Sequence, residues 1–379
     1  MTAWRRDLHA NPEAAFEEVR TAETVAGKLA SWGIEVHRGL AKTGVVGVLR
    51  AGRGAGAIGL RADMDALKMD EKNDFPHASR TAGRMHACGH DGHTTMLLGA
   101  ARYLAETRNF DGTVYLIFQP AEETEGGGRV MVEEGLFERF PADAVYGMHN
   151  MPTMPLGMMA INPGPMMAAS DSWEVTVRGQ GCHAAKPHSG IDPTLIASHV
   201  VIGLQSLVSR NLDPLETAVV SVTQMHAGSA WNVIPDDLLL RGTCRTFKPE
   251  VRALMERRIG EMAAGIAAAH GGSVEYQFIR RYPPTVNHAP EAEKAALAAA
   301  RVVGPEKVDR DLPPSTGGED FSFMLQAKPG AYIWLGSGPA RHEGRGVLHN
   351  PYYDFNDEAL TLGASYWVSL VEQELAKTA

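Results

Sequence analysis

The sequence predicts an α/β protein in which a mostly parallel sheet, sandwiched by helices, is interrupted by a smaller α+β domain. Three observations predict it. Short apolar runs without alternation (Ala57-Ile-Gly-Leu60, Thr113-Val-Tyr-Leu-Ile-Phe118 and Asp143-Ala-Val-Tyr-Gly-Met148) recur through the first half, as strands buried on both faces do. After Pro163-Gly-Pro165 the pattern turns to alternation, as in Trp173-Glu-Val-Thr-Val-Arg178, which suits half-buried antiparallel strands. Near the C-terminus the first pattern returns. At 379 residues the chain exceeds one ordinary core and fits two domains.

Taken in order, residues 16–32 place Phe16, Val19, Ala26, Leu29 and Ala30 near one helical face, with Gly33 suited to end the helix. Gly52-Arg-Gly54-Ala-Gly56 reads as a hairpin turn rather than a phosphate loop, because a strand and not a helix follows it. A helix over 94–107 (Met96, Leu97, Ala100, Leu104) separates the first two apolar strands. In the inserted region, strands are expected at 173–178, 218–224 and 238–247 and helices at 193–209 and 249–269. The tail gives a helix at 290–303, a strand at Tyr332-Ile-Trp-Leu335 and a last helix at 357–376. The expected boundaries are 1–169 with 284–379 for one discontinuous domain and 170–283 for the insertion.

Composition narrows the function. Hydrophobic residues at 44% and charged residues at 21% are globular, not disordered. A net charge of −9 gives no basic footprint for phosphates, so a nucleic-acid partner is not expected. No apolar run approaches the roughly 20 residues that span a bilayer, and the start, Met1-Thr-Ala-Trp-Arg-Arg-Asp-Leu-His9, has no apolar signal region. Three cysteines, Cys88, Cys182 and Cys244, are too few and too odd for a disulfide framework. A reducing, cytoplasmic setting is therefore expected. Cys182 and Cys244 read as small buried residues.

The chemistry concentrates in His86-Ala-Cys88-Gly-His90-Asp91-Gly-His93. Eight positions of this chain should hold about a third of a histidine by chance, and these hold three. Thiolate and imidazole suit zinc and related divalent metals; the competing reading is a helix N-terminus capped by Asp91. Within the cluster, Cys88 and His90 are the expected ligands, with His86 and His93 behind them. Other ligand-type residues fall at the ends of the apolar runs: Asp63 and Asp65 after the first, Glu122 and Glu123 after the second, His149 after the third. Sites of open α/β sheets gather there. His349 adds another imidazole before the final helix. The adjacent carboxylates allow a division of labour, one on a metal and its neighbour a general base; a solvated acidic loop is the alternative, since Thr124-Glu-Gly-Gly-Gly128 follows. Gly181-Cys-His183-Ala-Ala-Lys-Pro-His188 has no metal partner in sequence, though either histidine could donate a hydrogen bond to a substrate.

With these residues in place the chain resembles, essentially end to end, the aminoacylase/carboxypeptidase family of metallopeptidases, in its hippurate hydrolase and N-acyl-amino-acid amidohydrolase branch. The stretches that carry the resemblance include Arg5–Glu13, Leu60–Leu67, Met85–His93, Phe118–Glu123, Gly147–Asn150, His183–His188, Asn232-Val-Ile-Pro235, Gly318-Glu-Asp-Phe321 and Leu348-His-Asn350. The resemblance implies a catalytic domain with two divalent metal ions (zinc or manganese, with cobalt or nickel also suited) and a smaller lid and dimerisation domain. It implies Cys88, His90, Glu123, His149 and His349 as metal ligands, with Cys88 in the bridging place. Glu122 is implied as general base and Asp65 as the residue orienting a ligand. His183 and Asn232 are implied as contacts to the scissile carbonyl and the substrate carboxylate. The expected activity is hydrolysis of a small N-acylated amino acid by metal-activated water, in a homodimer or larger homo-oligomer. A dipeptidase or carboxypeptidase of the same family, a Cys88-nucleophile hydrolase and a non-catalytic metal or ligand binder are the alternatives. Two departures from the family pattern are Lys68, where proline is usual after Ala-Leu, and Cys182, where a smaller residue is usual.

Overall fold

A computed structural model describes residues 1–338 and 346–377. The chain divides into two compact units, one of Met1–Met166, Thr285–Pro313 and Asp320–Ala379, the other of Met167–Pro284 with Pro314–Glu319. The short return segment 314–319, expected with the first unit, joins the second through its backbone. Ala168 N–H donates to the carbonyls of Ser315 and Gly317, both at 3.0 Å.

The first unit begins with α1 (Thr2–Ala10), α2 (Val19–Ser31), β1 (Glu35–Leu40), β2 (Gly44–Ala51), β3 (Ala57–Asp63), α3 (His90–Thr107) and β4 (Gly112–Gln119). It continues with α4 (Gly127–Glu133), α5 (Leu136–Arg139), β5 (Ala144–Met151), β6 (Met159–Ala160) and β7 (Gly164–Met167, whose last residue falls in the second unit). The second unit holds β8 (Ala169–Arg178), β9 (Cys182–His183), α6 (Pro193–Ser206), β10 (Ala218–His226), β11 (Val233–Ile234), β12 (Asp237–Thr246), α7 (Pro249–Ala269) and β13 (Ser273–Tyr282). The chain then returns through β14 (Thr285–Asn287), α8 (Ala289–Val303), β15 (Val308–Asp309), α9 (Ser322–Ala327), β16 (Gly330–Gly336) and α10 (Ala359–Glu374).

The large sheet has the order β1-β2-β4-β3-β5-β16-β6-β15. Its centre, β4-β3-β5-β16, is parallel, while β1, β2 and the β16–β6 pair are antiparallel, so the sheet is mixed. Strands β3 and β16 are buried along their whole length, as the unalternating runs require. Around them lies one continuous core that includes Val25, Leu29, Leu97, Leu104, Tyr366 and Trp367 from the helices. The Gly52–Gly56 segment is not a hairpin turn: β4 lies between β2 and β3 and pairs with both. The loop is instead fastened by Asp111, whose Oδ1 accepts from Arg53 N–H (2.6 Å) and Gly54 N–H (2.5 Å).

In the second unit β10-β12-β8-β13 form an antiparallel sheet. β8 alternates buried and half-buried residues over nine positions, and Trp173, Val175 and Val177 pack with Ile196, Val200, Met255, Ile259 and Ala263 from α6 and α7. Helix α6 starts where Asp192 accepts from Thr194 N–H (2.8 Å) ahead of Pro193, a side-chain cap followed by the residue that needs no donor. Cys244 is buried, but Cys182 is only half-buried: β9 pairs with β11 alone, outside the larger sheet.

Candidate functional site

Strand order brings the candidate residues of the first unit together. β4, β3 and β5 are parallel neighbours, so the residues after Gln119 and Asp63 emerge at the same sheet edge as His149 near the end of β5. Leu67 and Met85 exchange both backbone hydrogen bonds at 3.0 Å, which runs the approach to Cys88 beside the exit from Asp65. At Gly89, φ is +91°, and a Cβ there would lie 2.3 Å from Asn150 Oδ1; only glycine allows Cys88 and His90 this close to β5. His349 N–H donates to Ala87 O at 2.8 Å, drawing in an imidazole from the far end of the chain.

Two of the residue groups that could hold a metal ion overlap at Cys88. Cys88, His90 and His149 present atoms within 4.8 Å of one another, and so do Cys88, Glu123 and His349. Cys88 belongs to both. Its Sγ is 3.4 Å from His149 Nε2, and Glu123 lies 3.8 Å from His90 Nε2 and 3.4 Å from His349 Nε2. Cys88, His90 and His149 are buried, whereas the His349 side chain is 54% exposed and marks the side open to solvent.

Buried atoms without partners test whether these residues fit a metal. Among the described residues, His90 Nε2 and Glu123 Oε1 are both buried and unbonded. Such groups are costly, and a divalent cation would satisfy both. The donor set fits. Burial pushes the Cys88 thiol well above its usual range, helped by Glu123, Glu122 and Asp63. Burial also holds His149 well below 6.5, leaving the neutral imidazole that ligates. Burial pulls His90 down too, but Asp63, Asp65 and Glu123 outweigh it and raise it to about 10. A cation would take the place of protons that the cluster otherwise holds.

Asp65 organises the group. Its carbonyl and Oδ1 face His90 Nδ1 at 2.9 and 3.2 Å, leaving Nε2 turned to the cluster. Its two carboxylate oxygens accept from Glu122 N–H (3.0 Å) and Glu123 N–H (3.1 Å). This is the outer support that metal-ligating histidines need. Glu122 is buried, not part of a solvated loop, and its Oε1 accepts from Asp320 N–H at 3.3 Å. Asp320 in turn meets Arg61 (2.9 Å) and Gln119 (2.8 Å). His93 stands outside both Cys88 groups, with Nδ1 2.6 Å from Asp63. His86 is buried among them, and burial lowers it to about 4. Sequence reasoning missed Glu18, whose carboxylate reaches Ala121 beside the glutamate pair; nothing in the local pattern separates it from the neighbouring Glu17.

His183 and Asn232 lie in the second unit. They are neighbours there: His183 pairs with Val233 across β9 and β11, and Ala184 N–H donates to Asn232 O at 3.0 Å. Both side chains are exposed, as are His188 and, in the first unit, Lys68.

The chain matches Peptidase family M20/M25/M40 over residues 59–373. It is 43% identical over 366 residues to hippurate hydrolase of Campylobacter jejuni, covering 97% of this chain and 94% of that protein. It is 39% identical to N-acetylcysteine deacetylase of Bacillus subtilis, with the same coverage of both. Among solved structures, a dinuclear metal-binding peptidase of the M20 family from Bacillus subtilis superposes with a TM-score of 0.85 at 35% identity over 98% of each chain. Sequence, fold and the buried cysteine–histidine–glutamate cluster agree: the chain belongs to Peptidase family M20/M25/M40 and is an amide-bond hydrolase.

Proposed function

We propose that the protein cleaves the amide bond of small N-acyl amino acids, of the hippurate or N-acetyl type, at a site holding two divalent ions. The observation that carries this reading is the pair of ligand groups sharing Cys88, with the buried Glu122 carboxylate within 4.8 Å of the ligand atoms of His90 and Glu123. Cys88, His90 and His149 would hold one ion, and Cys88, Glu123 and His349 the other. Zinc, manganese, cobalt and nickel all fit this mixed donor set, and availability would select among them. Bound there, the ions would polarise the substrate carbonyl and make water acidic.

Glu122 is the general base in this reading. It takes the proton of the attacking water and later delivers it to the departing amine. Asp65 keeps His90 and both glutamates oriented. His183 and Asn232 are assigned to the oxyanion and the substrate carboxylate, an assignment that rests on the family. A homodimer or larger homo-oligomer through the second unit is likewise assigned from the family resemblance. Free cysteines support a reducing, cytoplasmic setting, and no helix among the described residues is long and apolar enough to cross a membrane. A Cys88 nucleophile is disfavoured, because it would leave Glu123, His149 and His349, gathered around the thiol, without a task.

The test is a panel of hippurate, N-acetyl amino acids and dipeptides, run on metal-loaded enzyme, after chelation and with Glu122→Gln. Chelation should abolish turnover and metal restore it. Glu122→Gln should lower kcat by about 10²–10⁴-fold with metal content unchanged. Full activity in chelator, or a near-normal rate in Glu122→Gln, overturns the mechanism.

A further inference from the structure

The turn that carries Glu122 and Glu123 is gripped from two sides. Asp65 takes the peptide N–H groups of Glu122 and Glu123. The N–H just before them, on Ala121, goes to Glu18 Oε1 at 2.9 Å. Three successive N–H groups therefore end on two carboxylates, an arrangement that fixes the path of the backbone. Ala121 needs fixing: its φ is +56°, in the left-handed region that residues other than glycine avoid.

Glu18 makes the same kind of contact elsewhere. Its Oε1 also accepts from Phe16 N–H (3.0 Å), and Phe16 has φ +61°. Its Oε2 accepts from the Thr43 hydroxyl (2.6 Å), directly after Ala41 and Lys42 at φ +48° and +67°. Three stretches of left-handed backbone converge on one buried side chain at the start of α2. Thr43 and Phe16 anchor the carboxylate; Ala121 is what it holds.

Resting on the reading of Glu122 as general base, the geometry points to Glu18 as a positioning residue for the reaction: through Ala121 it sets where the Glu122 carboxylate stands. The hydrogen bonds of Glu18 go to Phe16, Thr43 and Ala121 and to none of the proposed ligands, so they reach the site through the turn, while its carboxyl also feels the charge of Asp65. Its carboxyl, pushed up to about 7 by burial, works as a hydrogen-bond acceptor, and a Gln amide oxygen can accept the same N–H groups.

Glu18→Ala should lower kcat about 10–100-fold, the scale of a small misplacement of a catalytic group, with KM within about threefold and bound metal unchanged. Glu18→Gln should restore kcat to within about threefold of wild type, and amide exchange at Ala121–Glu123 should speed up in Glu18→Ala only. In a Glu122→Gln background, Glu18→Ala should cost less than about twofold, because the group it positions is gone. If Glu18→Ala fails to fold, Glu18→Asp, one methylene too short, is read instead and should lower kcat at least about fivefold. The inference is overturned if Glu18→Ala (or Glu18→Asp in its place) keeps wild-type kcat, if the loss is the same in both backgrounds, or if lost metal accounts for all of it. A near-normal Glu122→Gln enzyme sinks the base assignment itself; a normal Glu18→Ala beside an inactive Glu122→Gln sinks only this step.

Discussion

Gly89 shows how much of the site rests on single positions. Its left-handed backbone and the 2.3 Å approach to Asn150 leave no room for a Cβ, and Tyr353 Oη stands at 2.7 Å on the same side. Asn150 is itself held, donating to that hydroxyl at 2.7 Å, so it cannot retreat freely. Gly89→Ala should therefore destabilise the protein by about 2–4 kcal/mol, combining backbone strain with overpacking, and should weaken metal binding because Cys88 and His90 flank it. Urea unfolding and metal titration would measure both, and a variant within about 0.5 kcal/mol of wild type would refute the packing argument. Such residues differ in how openly the sequence announces them. Cys88 and His90 stand out because scarce side-chain types crowd one short segment, Glu123 and His149 because they follow apolar strands, and His349 only in company with these. Glu18 does not, since its role exists only once three distant turns meet. Asp91, read as a possible helix cap, makes no side-chain cap bond and instead meets His9 at 2.8 Å.

That contact belongs to the scale of elements, where it ties α1 to the first turn of α3. Helix α1 buries Arg5, Leu8, His9 and Ala10, a face half polar, which is why hydrophobic periodicity gave no sign of it. Arg5 reaches Asp354 (2.8 Å) and Asp357 (2.7 Å), and His9 lies between Asp91 and Glu71. β1 was hidden for a related reason: it is an edge strand, exposed or half-exposed along most of its length, so its pattern is neither continuous nor alternating. β3, β4, β5 and β16 were legible because burial on both faces demands unbroken apolar runs. The ionic junction makes a pH prediction. Burial lowers the pKa of His9, but Asp91 and Glu71 outweigh it, and Arg5 opposes them, raising it to about 9. A raised folded pKa means stabilisation that is complete below the unfolded value of about 6.5 and is lost as pH rises through 9. The contribution is up to about 3 kcal/mol, counted once for the pair, since Asp91 is depressed by the same contact. Unfolding free energy should fall between pH 6.5 and 9.5 in wild type and stay flatter in His9→Gln. Identical slopes in the two proteins would dismiss the junction.

For the whole molecule, the five proposed ligands Cys88, His90, Glu123, His149 and His349 all sit in the unit built from 1–166, 285–313 and 320–379, and each unit closes its own hydrophobic core. Metal binding should then stabilise one unit and leave the other largely untouched. A ligand at about 100 times its dissociation constant adds about 2.7 kcal/mol to the state that binds it. Removing metal should accordingly speed amide exchange in β3, β5 and the start of α3 by about 10²-fold, where opening exposes the ligands, because 1.4 kcal/mol is about a factor of ten. The sheet around Trp173 and Val175 and the helices carrying Ile196 and Ile259 should exchange at unchanged rates. This asymmetry follows from chain order: the proposed ligands come from segments before and after the insertion, so bound metals would fasten its two flanks to each other and ask nothing of its core. Exchange that rises equally in both units on chelation would show that the molecule opens as one, and that the ions stabilise more than the sheet edge they are assigned to.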